Sequence, residues 1–254
     1  MSVSESCFRP DHGHVIPRLG CILVALACWT CPLSGQEPPA AEALTPVSTI
    51  AVVNRILTDP ARTGIATMRF RGTVIFTSRS GDFCLQENAE GIMVEPSDPA
   101  LRPALGDLVE VEAPVSFRAA DTLDPAFFLK ATSARVIRPG PLPEPVQTNL
   151  PAALNGGTAG RWVEIEGVVL QAALQNGVVT LHLTDQSGWG VVNVHDWRSG
   201  LALQDAWGAR LRVRCANVGR GHPALRVSSS DQITVIKPGT ASLFDTPWPI
   251  PQFW

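Results

Sequence analysis

A chain of 254 residues, 45% apolar and only 17% charged, has room for one or two domains with real hydrophobic cores. Its net charge of -3 provides no global field that would draw it to nucleic acid or anionic lipid. Of six cysteines only Cys84 and Cys215 lie beyond Cys31, which excludes a disulfide framework in the bulk of the chain.

Residues 1–35 have the layout of a secretory signal. Arg9 and Arg18 precede an apolar run from Leu19 to Trp29, long enough for a signal core and too short for a comfortable membrane span. A cut after Gly35 suits this layout. An uncleaved anchor and a wrongly chosen start codon are the alternatives. The implied location is export, to the periplasm or beyond, either free or anchored by the N-terminus.

Residues 36–47 are rich in Pro and Ala and read as a disordered lead-in. Ile50, Val53 and Ile56 recur every third residue, which predicts a short helix over Ser48 to Leu57 packed against the first β-domain. Thr58-Asp59-Pro60 looks like a further helix start, capped by Thr58 and ended by Gly64.

That first β-domain, 48–138 with its helix, shows five strands: Ala66 to Thr77, Phe83 to Gln86, Ile92 to Glu95, Leu108 to Phe117 and Phe127 to Ile137. Met68, Phe70, Val74 and Phe76 share one face of the first strand. The Pro-rich segment 139–158 reads as a semi-rigid linker. A second β-domain, 159–237, repeats the series with Arg161 to Ala172, Val178 to Thr184, Trp189 to Val194, Ala209 to Val218 and Leu225 to Ile236. Gln175-Asn176-Gly177 is a hairpin turn of the Asn-Gly kind. Residues 238–254 form a tail of Pro and aromatics without periodicity.

Arg69-Phe70-Arg71-Gly72-Thr73-Val74 and Glu164-Ile165-Glu166-Gly167-Val168-Val169 open the two series with one pattern. Five strands with the long connection between the third and fourth is the pattern of the OB fold. The chain is therefore predicted to be all-β, two tandem five-stranded OB-fold-like Greek-key barrels after an N-terminal signal segment. The two copies also test each other. Outward charges are Arg69 and Arg71 against Glu110 and Glu112 in the first copy, and Glu164 and Glu166 against Arg212 and Arg214 in the second. The sign reverses on strands one and four together, as it must if those strands pair to close a barrel.

Arg71-Gly72-Thr73-Val74, the run from Leu85 to Ile92 and the run from Leu105 to Val111 resemble the OB-like extracytoplasmic sensor regions that precede bacterial histidine kinases. Gly160 to Val169 is similar to the opening of that family's second barrel, and Ser230 to Val235 to its end. The likeness runs from about Ser48 onward, and no kinase motif accompanies it. It implies a sensor-type region that binds a ligand or partner, either free-standing or from a truncated gene. Similar modules also accompany exported nucleases.

His182, His195 and His222 lack ligand spacing such as CxxC or HxxxH, so no metal and no cofactor is expected. No Gly-x-Ser-x-Gly, His-Glu-x-x-His or phosphate loop occurs, and no enzyme is expected. Cys84 and Cys215 read as core residues. OB barrels bind through strands two and three and the flanking loops, which selects Trp189, Asn193, His195, Arg220 and His222 in the second copy, with Trp189 as a stacking platform. Packing against the linker or the other barrel is the competing role for Trp189. The expected function is a non-enzymatic binding or interaction module of the sensor type, with an unknown small molecule or protein as partner. Balanced charge disfavours nucleic acid. An oligonucleotide-binding or nuclease-accessory protein and a structural spacer are the alternatives.

Overall fold

The computed structural model describes residues 47–59, 61, 64, 66–115, 128–198, 203–218 and 224–239. The expected signal, most of the lead-in and nearly all of the tail lie outside them, as do Arg220 and His222.

The first unit of structure is a short strand and a helix set ahead of each barrel. In the first copy β1 (Val47–Ser48) pairs in parallel with β2 (Ala66–Thr77), and α1 (Ile50–Thr58) follows. Thr49 caps α1 by accepting from the N–H of Val52. The expected second helix start at Thr58 is corrected: Thr58 is the last residue of α1, its hydroxyl bonded back to the Asn54 carbonyl at 3.0 Å. Beyond it, Asp59 accepts from the N–H of Ala61 in a local turn.

The barrel strands are β2, β3 (Phe83–Glu87), β4 (Glu90–Glu95), β5 (Leu108–Val115), β6 (Phe128–Lys130) and β7 (Ser133–Arg138). Their order, β6-β4-β3-β2-β5-β7, makes a half-barrel. Between β6 and β7 the N–H of Thr132 reaches across to the carbonyl of Glu112 at 2.8 Å.

The segment expected to be a linker holds the second copy of the leader. There β8 (Val146–Gln147) pairs in parallel with β9 (Trp162–Gln175), and α2 (Leu150–Leu154) is capped by Asn149. The structural repeat is therefore longer than the sequence repeat. Next come β10 (Val178–Thr184), β11 (Trp189–Val194), β12 (Arg210–Asn217), β13 (Leu225–Val227) and β14 (Ile233–Lys237). The circuit β9-β10-β11-β13-β12-β9 closes a five-stranded barrel, with β11 and β13 parallel. All-β architecture with OB-like barrels is thus borne out, one closed and one half-closed.

The fifth strand of each copy is not continuous. It changes partner midway, from β4 to β5 in the first copy and from β11 to β12 in the second. In the second copy a short 3-10 turn, Ser230–Gln232, makes the bend, with Ser229 and Gln232 forming a capping box.

The register sets Arg69 opposite Glu112 and Arg71 opposite Glu110, and sets Arg212 opposite Glu166 and Arg214 opposite Glu164. Arg71 and Arg135 both reach the buried carboxylate of Glu110 at 2.7 Å. Arg212 binds Glu166 at 2.7 Å and Arg214 binds Glu164 at 2.8 Å. The guanidiniums stand about half in solvent, so the pairs add little to stability and mainly fix register.

The repeated Gly72 and Gly167 now have a cause. Each barrel end is filled by the first helical residue, Ile50 or Leu150, both fully buried. A Cβ on Gly72 would stand 2.9 Å from Leu85 Cβ on the next strand and 3.0 Å from Ile50 Cδ1, and one on Gly167 would stand 3.1 Å from the Thr184 carbonyl and 3.2 Å from Leu183 Cβ, with Leu150 Cδ1 in contact at 3.5 Å. The acidic residue opening the following turn holds each helix in place. Glu87 accepts from the N–H of Ile50 at 2.6 Å, and Asp185 from that of Leu150 at 2.9 Å. A carboxylate at a helix N-terminus satisfies an N–H with no intrahelical partner.

Candidate binding face

The outer face of strands two and three differs in fate between the barrels. In the first, a bulge between Val74 and Phe76 turns both Ile75 and Phe76 out of the barrel core. Alternation alone places Phe76 on the inner face with Val74, and the bulge is the reason it is not there. Ile75, Phe76, Cys84 and Met93 pack against Trp162, Ala216 and Val218 of the second barrel. Trp162 is 2% exposed, and burying an indole contributes on the order of 5 kcal/mol. The backbone N–H of Trp162 donates to Gln86 Oε1 at 2.7 Å, and that of Thr77 donates to Ser228 Oγ at 2.8 Å. Gly91 and Gly160 meet backbone to backbone, with no room for a Cβ on either. The first barrel's face is thus a docking surface for the second barrel.

The same face of the second barrel is open. Register aligns its outward side chains in rows. One row is Arg210, Val168, Thr184 and Trp189; the next is Gln171, His182 and Val191; the third is Ala173, Thr180, Asn193 and Arg226. Trp189 is 59% exposed and Leu170 50%. Underneath it, Gly188 and Gly190 leave space for Pro151, Leu150 and Leu154 of α2, which brace the strand from behind. Thr180 Oγ1 donates to Asn193 Oδ1 at 3.1 Å, so the carboxamide N–H donors are what a ligand would meet.

His195 follows β11 but joins the seam. Its ring stands edge-on to Phe76 at 4.9 Å between centroids. Burial, then the charges of Arg226 and Arg79, lower its pKa to about 4, with Asp82 opposing. It is therefore a neutral packing group near neutral pH. Of the five residues picked from sequence, the structure brings Trp189 and Asn193 together on the face and places His195 at its margin. Thr180, His182, Thr184, Val168 and Leu170 complete the face. Strict alternation in Val178 to Thr184 was the available signal for the first three. Cys84 lies in the seam and Cys215 in the second core, where burial pushes its thiol pKa up.

No family model matches the chain, and no curated protein matches it. Solved structures do. The chain is similar to the p204 HINb domain, at 15% identity over 66% of this chain and 94% of that one, with a TM-score of 0.30. It is similar to the Ifi202 HINa domain in complex with 20bp dsDNA, at 10% identity over 70% of this chain and 100% of that one, TM-score 0.31. It is also similar to a murine DNA binding protein bound with ds DNA, at 11% identity over 69% and 100%, TM-score 0.30. Likeness at this level concerns the fold alone. One expectation is corrected here: balanced charge disfavours nucleic acid as a partner, yet two of these three neighbours were solved with double-stranded DNA. The physical reason is that charge summed over a chain does not report the field or stacking capacity of one face. Fold and face together describe two OB-like barrels, one with its outer face covered and one with that face open.

Proposed function

We propose that this chain is an exported nucleic-acid-binding module that lays a single strand across the outer face of β10 and β11, with Trp189 as its stacking platform. The exposure of Trp189 is the observation that carries this reading: an indole 59% open to solvent on the face that OB barrels use for oligomeric ligands. Base stacking on an aromatic ring tolerates any sequence, and Asn193, Thr180, His182 and Thr184 supply donors and acceptors alongside. Arg210 and Arg226 flank the face on neighbouring strands.

The resemblance to sensor regions suggests a small-molecule ligand instead. Small molecules favour concave pockets of several hundred Å³. The cavity beside the seam, lined by Asn54, Met93 and Gly160 among others, measures about 40 Å³, room for water alone. An open sheet face suits an extended polymer better.

The test is fluorescence anisotropy with a labelled single-stranded oligonucleotide at low salt. Trp189→Ala is expected to weaken binding by about 1–3 kcal/mol, roughly 5- to 150-fold, with thermal unfolding unchanged. Absence of binding, or equal affinity in the variant, would refute the reading.

A further inference from the structure

The first barrel reaches onto the second barrel's face through the turn between β2 and β3. That turn is held rigidly. The N–H of Ser78 donates to the Asp82 carbonyl at 2.8 Å, and Ser80 Oγ donates to Asp82 Oδ2 at 2.7 Å. Arg79 projects from it over the hairpin of the second barrel. A Cβ on Gly177 would collide with Arg79 Nη1, and Gly177 itself sits at φ +77. The glycine thus makes the turn and leaves the space that the guanidinium fills. Beyond the hairpin, Arg79 Nη2 lies 4.0 Å from Asp196 Oδ1, and Arg198 Nε lies 2.7 Å from Asp196 Oδ2. The loop bearing Asp196 and Arg198 is itself tied down, since Ser230 Oγ accepts from the N–H of Arg198 and the Asp196 carbonyl accepts from the N–H of Ser230, both at 2.9 Å.

Two guanidiniums therefore converge on one carboxylate, leaving a surplus positive charge. Their side chains are 59% and 77% exposed, so their outer N–H groups face solvent. Arg226 lies close by, over the Phe76 ring at 5.9 Å, and Arg102 lies against Gly81 at the turn. Asp82 and Asp196 are the carboxylates that oppose this group. From Trp189 the extended strand runs five positions to Val194, about 17 Å, and Asp196 follows after a bend. That span suits the ~4 to 16 nucleotides covered by one OB fold.

We infer that Arg79 of the first barrel and Arg198 of the second form a phosphate clamp across the seam, which holds the backbone of a strand whose bases lie on the Trp189 face. The clamp rests on the nucleic-acid reading above for its ligand. Arginine suits this role because its planar fork takes two phosphate oxygens at once.

The experiment is the salt dependence of oligonucleotide binding by the full chain. Each phosphate neutralised on a single strand contributes about -0.7 to the slope of log K against log salt. The double variant Arg79→Gln/Arg198→Gln is expected to flatten that slope by about 1.4 and to weaken binding roughly tenfold or more at low salt, whereas Trp189→Ala lowers affinity at constant slope. Unchanged slope and affinity in the double variant, with Trp189→Ala still weakened, overturns the clamp and leaves the stacking face standing. Tripolyphosphate supplies a probe independent of stacking. Saturable shifts of the Arg79 and Arg198 side-chain N–H resonances support the clamp even if Trp189→Ala binds normally, a pattern that sinks only the stacking reading. No shift overturns the clamp. Unfolding of the double variant at the parent temperature excludes a trivial loss of the seam.

Discussion

Replacing His195 by phenylalanine removes a titrating group from the seam while keeping an aromatic ring against Phe76. His195 faces Phe76, Arg79, Asp82 and Arg226, and its pKa is lowered to about 4 by burial first and by the two arginines next. An unfolded histidine titrates near 6.5. The folded state therefore favours the neutral ring. The stability this contributes is complete above about pH 6.5 and is lost as pH falls toward 4, because the unfolded chain binds the proton first. Between pH 7 and pH 4.5 the loss is about 2 kcal/mol, with a steepest slope of about 1.2 kcal/mol per pH unit. Urea unfolding across that range, followed by tryptophan fluorescence, measures it, and His195→Phe should flatten the profile. The carboxylates whose pKa is lowered are present in both proteins, so their contributions cancel in the comparison with His195→Phe. At Glu110 burial is outweighed by hydrogen bonds from Arg135 and Arg71, Arg212 holds Glu166 low, and for Asp185 burial is outweighed by Ser187 and by backbone N–H groups. Their contributions are lost as pH falls through and below the ordinary carboxylate range, about 4. Equal pH slopes in the parent and in His195→Phe would refute the reasoning.

Gly91→Ala should break the docking of the barrels, since its Cβ would overlap the Gly160 backbone. Urea unfolding is expected to show a cost of about 1–3 kcal/mol, with faster hydrogen exchange at the Trp162 N–H; parent-like exchange would contradict the seam. Leu150→Ala should cost about 2–5 kcal/mol and release α2, because a helix of five residues persists only through packing. Rapid exchange of the N–H at position 150, otherwise bound by Asp185, reports that release, and retained protection would refute the role of α2 as a barrel plug.

Strand periodicity made most of each barrel legible. The first strand of the first copy, and strands two and three of the second, have the expected bounds because alternation and turn residues both mark them. The opening motif with its glycine was visible as a repeat, but its purpose was not, since Ile50 and Leu150 lie far from Gly72 and Gly167 in sequence. The second leader was hidden for a related reason. Val146–Gln147 and Leu150–Leu154 are too short for periodicity to register and are embedded among prolines. The broken fifth strands read as continuous because a change of partner leaves no mark in an apolar pattern.

The sequence by itself determined the class of fold, the presence of two copies, and a charge reversal that sets strand one against strand four. Local periodicity and paired charges carry that information, and both are written in residue types. Tertiary structure alone decided which barrel keeps an open face. Cys84, Met93 and Phe76 have the same apolar character whether they face a core or a neighbouring barrel, so only the docked geometry shows the first face consumed. The same docking brings Arg79 to Gly177 and Asp196. No local pattern encodes that approach, because it depends on how two separately folded surfaces meet.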